Sequence, residues 1–350
     1  MLQVLRQLLL PFSLVYGLIV FIRNKFYDWG WFKSYSFNLP IISVGNLEVG
    51  GSGKTPMVEY LIKLLKNDHK LATLSRGYGR KTKGFLWVKP NDDASNTGDE
   101  PLQMAQKFKN IGVAVCENRV AGIKKIRQTH NLILMDDAYQ HRAVKPGLSL
   151  LLFNYHQINK PRFLLPAGNY RETFSGRKRA QVLIASKCPQ NLSAEERQSI
   201  KNILAPYPHQ KLFFSALAYA SSLNNVFTAE KLPKELITDD WHVLLLTGIA
   251  KPEPLYQNLL SYTPNIAHHR YADHHQFSDK NIRKLVEAFD AIASDKKIII
   301  TTEKDAVRLK TDKFAELRAL PVYQWPIEVV FLFNEGEAFN HLIKEYAEIN

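Results

Sequence analysis

Cysteine is almost missing from these 350 residues, which hold only Cys116 and Cys188. Two isolated thiols give no disulfide framework and no spacing for a zinc cage, and they fit a reducing compartment. A long hydrophobic run is missing too. The uncharged N-terminal stretch Leu8–Ile22 (LLLPFSLVYGLIVFI) has fifteen residues and is interrupted by Pro11, whereas a bilayer-spanning helix needs roughly 20. No small-x-small cleavage site comes after it, so it does not read as a signal peptide. Internal repeats and low-complexity tracts are lacking, which excludes solenoids and disordered arrays. Acids are in deficit: 33 Asp and Glu against 46 Lys and Arg give a formal net charge of +13. That balance favours an anionic partner, whether nucleic acid, anionic lipid or a phosphorylated substrate. The bases are dispersed, however, and no nucleic-acid module is recognisable, so no nucleic-acid partner is expected.

Immediately after the N-terminal apolar stretch, the composition changes. Arg23, Lys25, Phe26, Tyr27, Trp29, Trp31, Phe32 and Lys33 mix bases with aromatics, the combination that a membrane interface selects. Residues 1–33 are expected to form a membrane-associated helix, partly inserted or short-spanning, with the rest cytosolic. The plainer alternative is a core helix of a soluble enzyme.

The segment Gly45-Asn46-Leu47-Glu48-Val49-Gly50-Gly51-Ser52-Gly53-Lys54-Thr55 carries the most information. It comes after the apolar run Ile41–Val44, and Val58, Leu61, Ile62, Leu64 and Leu65 recur beyond it at helical spacing. Strand, glycine-rich loop and helix in that order are the setting of a phosphate-binding P-loop. Gly50, Gly51, Ser52 and Gly53 let backbone N–H groups converge on an anion at a helix N-terminus. Lys54 is placed to reach the terminal phosphates of a nucleotide, and Thr55 to ligate Mg²⁺. Glu48 stands where the strict pattern has its first glycine, leaving Gly50 and Gly51 to supply the flexibility. A glycine-rich turn without a nucleotide is the alternative.

Apolar runs and helical patterns alternate from Pro40 to about Tyr219, with strands expected at 41–44, 71–75, 111–116, 132–136, 148–153, 181–186 and 212–216. Residues 84–90 offer an extra strand beside this core. A second series has strands at 242–247, 265–271 and 297–302 and helices at 253–262 and 279–293. The expected fold class is α/β: a P-loop NTPase-like, mostly parallel sheet flanked by helices, with a second, smaller α/β lobe and the N-terminal membrane-associated helix. The corresponding domains are 1–33 for the helix, 34–222 for the P-loop domain, 223–325 for the second lobe with its connector Leu223–Asp240, and 326–350 for a C-terminal segment.

Several polar groups end these strands. Asp136 and Asp137 close an apolar strand, where an acid orients Mg²⁺ or its water shell; a helix cap or turn is the alternative. Asp99 and Glu100 precede a helix. Asp99 is able to accept a proton from an attacking hydroxyl and Glu100 to serve the metal, although the local pattern alone favours N-capping, with Pro101 in the first turn. The loops Ser75–Arg80 and Leu165–Glu172 both come after strands, where ligand sites of α/β folds lie. Their arginines suit phosphate, or else a solvated turn and a surface ion pair. His268, His269, His274 and His275 raise the question of a metal, but adjacent residues of a strand face opposite ways. A His paired with a carboxylate as an acid–base unit is the better reading. Thr302-Glu303-Lys304-Asp305 superficially resembles a guanine-selecting N/T-K-x-D, but the order differs and that motif is absent.

Together, GNLEVGGSGKTP at 45–56, SRGYGR at 75–80, GDEP at 98–101, DDAYQH at 136–141, LPAGNYRE at 165–172, DHHQF at 273–277 and TEKDAV at 302–307 closely resemble one family, the tetraacyldisaccharide 4′-kinases of lipid A biosynthesis. The departures are Ala138-Tyr139 where the family usually has Gly-Phe, Tyr170 where Leu is common, and Ala272 where Pro is common. The resemblance implies a membrane-associated kinase that uses ATP and Mg²⁺ and phosphorylates the 4′-hydroxyl of a tetraacylated glucosamine disaccharide 1-phosphate. It implies two α/β lobes joined by a β-ribbon, with the C-terminal segment packing on the kinase domain. It also implies catalytic roles for Asp99 as base, His274 as its assistant and Lys54. The implied nucleotide site is Gly50, Gly51, Ser52, Gly53, Lys54, Thr55, Asp136 and Asp137, with metal ligation by Thr55, Asp136 and Glu100. Substrate contacts fall to Arg76, Tyr78, Arg119, His141, Asn169, Arg171 and Glu172. The expected protein is a monomer at the inner (cytoplasmic) membrane, with its catalytic domain on the cytoplasmic side. The competing reading is a membrane-associated P-loop ATPase or GTPase switch in targeting or metal delivery. Val49 stands where that class carries a Lys before its paired glycines, and the guanine motif is missing. A nucleic-acid binder rests on net charge alone.

Overall fold

The uncharged run Ile41–Asn46 is buried along its whole length, as a strand covered on both faces must be. In the computed structural model, which describes residues 6, 8–273, 275–310 and 312–348, it is β1 of a nine-stranded sheet. The other strands are β2 (Leu71–Ser75), β3 (Leu86–Trp87), β4 (Gly112–Val115), β5 (Leu132–Asp136), β6 (Leu148–Asn154), β7 (Val182–Ser186) and β8 (Lys211–Tyr219), with Ile327–Phe331 at one edge. From that edge the order is Ile327–Phe331, β8, β7, β6, β1, β5, β2, β4, β3. The pairs from β8 through β4 are parallel, the short β3 runs antiparallel to β4, and the edge strand Ile327–Phe331 is held to β8 by Ala220 N donating to Pro326 O and Leu332 N to Phe214 O, an antiparallel register. From β1 the chain moves to β2 on one side, and from β6 it moves to β7 and β8 on the other. β1 and β6 are therefore neighbours at the point where the winding reverses, the place where ligands bind in such sheets.

Helices cover both faces. Helix α1 (Leu10–Asp28) begins with Pro11 in its first turn, where proline fits because the N–H is unbonded anyway. Proline thus starts this helix and does not break it. Helix α2 (Lys54–Leu65) buries Met57, Val58, Leu61, Ile62 and Leu65, an apolar stripe at 3.6-residue spacing. Helix α3 is Asp99–Lys107 and α4 is Arg119–Ile126. Ile123 and Ile126 of α4 join Ile41, Ala72, Leu74, Ile133 and Met135 in one core. Helix α5 (Ala194–Leu204) opens with a Ser193/Glu196 capping box and sends Ile200 and Leu204 to a core with Leu151, Leu183 and Phe214.

The chain divides into two compact units. The first is Met1–Asp92, Met104–Leu217 and Val329–Asn350, and the second is Asp93–Gln103 with Ala218–Glu328. The second unit holds a six-stranded sheet of β9 (Ser222–Asn225), β10 (Lys231–Pro233), β11 (His242–Thr247), β12 (Ile266–Arg270), β13 (Lys297–Thr301) and β14 (Val322–Gln324), in the order β10-β9-β14-β13-β11-β12. β11 to β14 are parallel, and β9 and β10 are antiparallel additions. The weakly patterned stretch expected to be a connector thus supplies two edge strands. Strands of three or four residues leave no readable alternation. Helices α6 (Glu253–Leu260), α7 (Asp279–Asp290) and α8 (Glu303–Leu309) complete this unit, and α9 (Gly336–Glu348) belongs to the first. Among the described residues no helix is long and apolar enough to cross a membrane.

Candidate active site

The glycine-rich loop links β1 to α2 at the reversal point. Gly53 caps α2 with φ +84°, and Gly50 sits at φ +110°, conformations that cost an L side chain about 1–2 kcal/mol. Gly51, the other glycine expected to supply flexibility, has no such requirement. Glu48 needs no glycine either, because it pairs in an antiparallel bridge with Tyr170 and extended backbone suits any residue. That bridge, with Val49 N donating to Asn169 O (2.8 Å) and Arg171 N to Leu47 O (2.7 Å), lays the 164–172 loop along the glycine-rich loop. Backbone hydrogen bonds thereby fix where Asn169, Arg171 and Glu172 stand.

Polar side chains brace the cradle from below. Asn46 Nδ2 donates to Ser52 Oγ (2.9 Å), and Lys54 Nζ donates to Asn46 Oδ1 (3.3 Å). Ser186 Oγ donates to Ser52 O (2.7 Å), and Asn154 Nδ2 to Gly51 O (3.3 Å). Lys187, at φ +58° just after β7, lies over the loop: a Cβ built at Gly51 would be 3.4 Å from its Nζ. Sequence reasoning missed Asn46, Asn154, Ser186 and Lys187. The last three end strands β6 and β7, so their strand-end position was the available signal.

The acids after β5 face this cradle. Asp137 adopts φ +48°, a strained conformation of the kind kept at functional sites. Its Oδ1 meets Lys54 Nζ at 3.6 Å and Arg171 Nη1 at 2.8 Å. Burial pushes its carboxyl up, but the Lys54 and Arg171 charges outweigh burial and hold it below the usual carboxylate range. Asp136 is buried. Gln140, also missed from sequence, donates to Asn46 O (2.8 Å) and Glu172 Oε1 (3.1 Å). Glu172 is fully buried and takes both its oxygens to Arg179 Nη2 at 2.8 Å. It therefore orders the loop from behind. Ala138-Tyr139 fits without strain: Tyr139 donates to Gly176 O (2.7 Å), and Gly45 makes room for it, since a Cβ there would lie 2.6 Å from Tyr139 Cβ.

A cluster of basic side chains adjoins the acids. Arg119, buried at the start of α4, donates to Cys116 O (3.1 Å) and Glu117 O (3.3 Å) while its Nε has no hydrogen-bond partner. Burial lowers its pKa to about 10 against the pull of Asp137. His141 falls to about 4, chiefly through burial and then through Arg119, Arg23 and Arg76, so it is neutral at physiological pH. Arg76 and Tyr78 are exposed on the loop after β2.

The remaining predicted residues belong to the second unit. Asp99 opens α3, and its Oδ2 accepts from Arg308 Nη2 at 2.5 Å. Glu100 is exposed. His274 lies outside the described residues. Its neighbour His275 is engaged elsewhere, with Nε2 3.0 Å from Asn281 Oδ1 and its ring stacked on Tyr271 at 4.5 Å. His268 bonds Thr247 (2.8 Å) and stacks on Tyr256. Among the described residues no group of three His, Cys, Asp or Glu side chains is gathered to hold a metal on its own. Arg308, missed from sequence, lies three residues beyond the Asp305 of the TEKD segment.

The arrangement suits a nucleoside triphosphate. Two positive-φ glycines leave an open anion cradle at a helix N-terminus, a lysine and an arginine flank it, and Thr55 and Asp136 offer the oxygen donors that Mg²⁺ takes together with phosphate. The sequence profile of a family described as Tetraacyldisaccharide-1-P 4'-kinase matches residues 5–348. A tetraacyldisaccharide 4'-kinase of Phocaeicola vulgatus is 42% identical over 349 residues, covering 98% of this chain and 95% of its own. One from Flavobacterium psychrophilum is 43% identical over 358 residues, covering 98% and 97%. A crystal structure of the "apo" form of LpxK from Aquifex aeolicus in complex with ATP superimposes with a TM-score of 0.76 at 29% identity, covering 98% of this chain and 99% of that one.

Proposed function

The chain belongs to the tetraacyldisaccharide-1-P 4'-kinase family, and on that premise we propose how its own residues carry the reaction. The activity is that of an ATP-using tetraacyldisaccharide 4′-kinase of lipid A biosynthesis. The terminal phosphoryl group of ATP passes to the 4′-hydroxyl of the acceptor: the new O–P bond forms there, the β–γ bridge bond breaks, and ADP leaves. Lys54 and the loop amides of Gly50 to Thr55 hold the transferring phosphoryl group, and Arg171 is kept beside it by Asp137. Thr55 and Asp136 would hold Mg²⁺, with Glu100 serving it, and the ion would neutralise phosphate charge. Asp99 accepts the proton of the attacking hydroxyl, assisted by His274. Arg76, Tyr78, Arg119, His141 and Asn169 belong to acceptor recognition, where the charges of Arg76 and Arg119 suit the acceptor's 1-phosphate; Glu172, expected among the substrate contacts, is fully buried on Arg179 and serves them only by holding its loop. The observation that carries this reading is the Lys54–Asp137–Arg171 cluster on a cradle whose helix cap is a positive-φ glycine. A pure P-loop switch is not favoured, because the chain belongs over residues 5–348 to a family of kinases.

The N-terminal helix is read as a membrane contact of the same enzyme. Its inner side is anchored on the 164–172 loop: Ser13 Oγ donates to Leu164 O (3.0 Å) and accepts from Ala167 N (2.9 Å), and Tyr16 donates to Arg171 O (2.9 Å). Its outer side leaves Phe12, Leu14, Leu18, Ile19 and Phe21 between 53% and 76% exposed, and Trp29 and Trp31 just beyond it are exposed too. An apolar face of that size needs a cover, and a helix lying in the interface supplies one for an enzyme with an acylated substrate. ATP use and unpaired, buried thiols support a position of the catalytic residues on the cytoplasmic side of the inner membrane. Assays with radiolabelled ATP and a tetraacylated disaccharide 1-phosphate test the first reading. Asp99→Ala should lower kcat by about 10²–10⁴-fold, and near-normal turnover would remove Asp99 from the mechanism. Vesicle flotation tests the second. Replacing Leu14, Leu18 and Phe21 with Ser should release the protein while detergent-dispersed acceptor is still turned over. Unchanged flotation would refute the membrane role of that face.

A further inference from the structure

The TEKD segment has no part in the roles given above, yet its acid holds a buried network. Thr302 caps α8, and its hydroxyl donates to Asp305 Oδ2 (2.7 Å), which also accepts the Gly248 N–H (3.0 Å). Arg308 Nη1 donates to Asp305 Oδ1 and to Gly248 O, both at 3.2 Å, and Nη2 reaches Asp99 Oδ2 at 2.5 Å. The side chains of Arg308 and Asp305 are 2% and 0% exposed, and that of Asp99 is 13% exposed. The network leaves little room at Gly248: a Cβ there would lie 3.1 Å from Asp305 Oδ1 and 3.4 Å from His275 Cβ. All of these residues belong to the second unit.

A guanidinium is planar, and donors used on one edge fix where the other edge points. Asp305 and Gly248 hold Nη1 of Arg308, so Nη2 has a fixed line along which to hold a carboxylate. Asp99 lies on that line, 209 residues away in sequence. A buried ion pair of this kind gives little net stability relative to an apolar isostere, whereas placing a reacting group to within an ångström has large effects on rate. We propose that Arg308 is a positioning residue for the phosphoryl transfer, clamping Asp99 in the orientation that meets the acceptor hydroxyl, with Asp305 and Gly248 holding the clamp. This rests on the reading of Asp99 as the proton acceptor.

The test is a double-mutant cycle on turnover with the full chain, ATP and the acylated acceptor. Arg308→Lys keeps the charge but loses the fork. It should lower kcat by on the order of 10²-fold and leave the KM for ATP within about a factor of two. Asp305→Asn keeps the shape but weakens the hold, and should lower kcat less, with the same unchanged KM. In an Asp99→Ala background both changes should cost nothing further, because the group they position is gone. Circular dichroism melts accompany each variant, and if Arg308→Lys does not fold, Asp305→Asn carries the cycle. Equal losses in both backgrounds would mean a structural role only and overturn the clamp while leaving Asp99 as the base. Near-normal turnover of Asp99→Ala alone would instead overturn the base assignment and the clamp with it.

Discussion

Two strand-to-helix junctions of this protein share a topology and differ in what fills them. β1 enters α2 through the glycine-rich loop, and β13 enters α8 through Thr302. At the second, Thr302 accepts from Asp305 N (3.1 Å), and Glu303 and Asp305 occupy the first turn. The chain's own oxygens and acids satisfy the orphan N–H groups and the positive end of the helix dipole. At the first, Gly53 has no side chain with which to cap, and no acid occupies the first turn of α2. Lys54 and, through Asp137, Arg171 add positive charge there instead. A helix N-terminus becomes an anion site when the sequence leaves it uncapped, and a rigid anchor when the sequence caps it. Here the anchored junction holds Asp305 and, through it, Arg308.

The comparison breaks most sharply at Lys54. Lys54→Ala should lower phosphoryl transfer by at least about 10²–10³-fold, the usual effect of losing one donor to transition-state charge, with an unchanged circular dichroism spectrum. A folded Lys54→Ala protein with near-normal turnover would show that the uncapped junction is not where the phosphoryl group sits. Gly53→Ala comes next. Its φ of +84° should cost about 1–2 kcal/mol of stability, and the distorted cradle should raise the KM for ATP. Thermal melts and ATP titration check both, and a neutral substitution would mean the loop repacks freely. Thr302→Ala attacks the capped junction. It should cost about 1 kcal/mol of stability, read by urea unfolding, without raising the KM for ATP; a raised KM would make the two junctions functionally alike.

The last expected effect is a titration in the basic cluster beside the first junction, which leaves activity near neutral pH untouched. Burial, with Arg119, Arg23 and Arg76 nearby, holds the pKa of His141 at about 4, below its ordinary 6.5. Between those values the unfolded chain binds a proton that the folded chain excludes. Stability therefore declines as pH falls from about 6.5 toward 4 and gains no further loss from this group below that. His141→Asn should flatten this part of the stability curve in urea unfolding between about pH 4.5 and 7. An unchanged slope would mean that His141 is charged in the folded protein.

Much of this was legible in the sequence because it is local. Ile41–Val44 read as a buried strand from its apolar run, which the fold extends to Asn46, and Gly53-Lys54-Thr55 had to open a helix. Asp136 ended a strand in the sequence as it does in the fold. The short β9 and β10 escaped because three or four residues carry no period. Pro11 was misjudged as an interruption because its effect depends on whether it falls in the first turn or later. Asp99 looked like a helix cap because an acid at a helix start suits the dipole whatever else it does, and only the fold shows that its carboxylate is paired with Arg308.

The sequence by itself determined the α/β alternation, the phosphate loop, the apolar N-terminal helix and the family, all of which rest on contiguous residues and their spacing. Tertiary structure alone decided that Arg171 pairs with Asp137 from 34 residues away and Arg308 with Asp99 from 209. It also decided that Lys187 lies over the glycine loop, that Glu172 supports its loop from behind, and which side of α1 is covered. The reason is physical. Periodicity reports which face of one element is apolar, while long-range pairing depends on sheet order and on which strand ends become neighbours. Nothing in the residues between two partners encodes that.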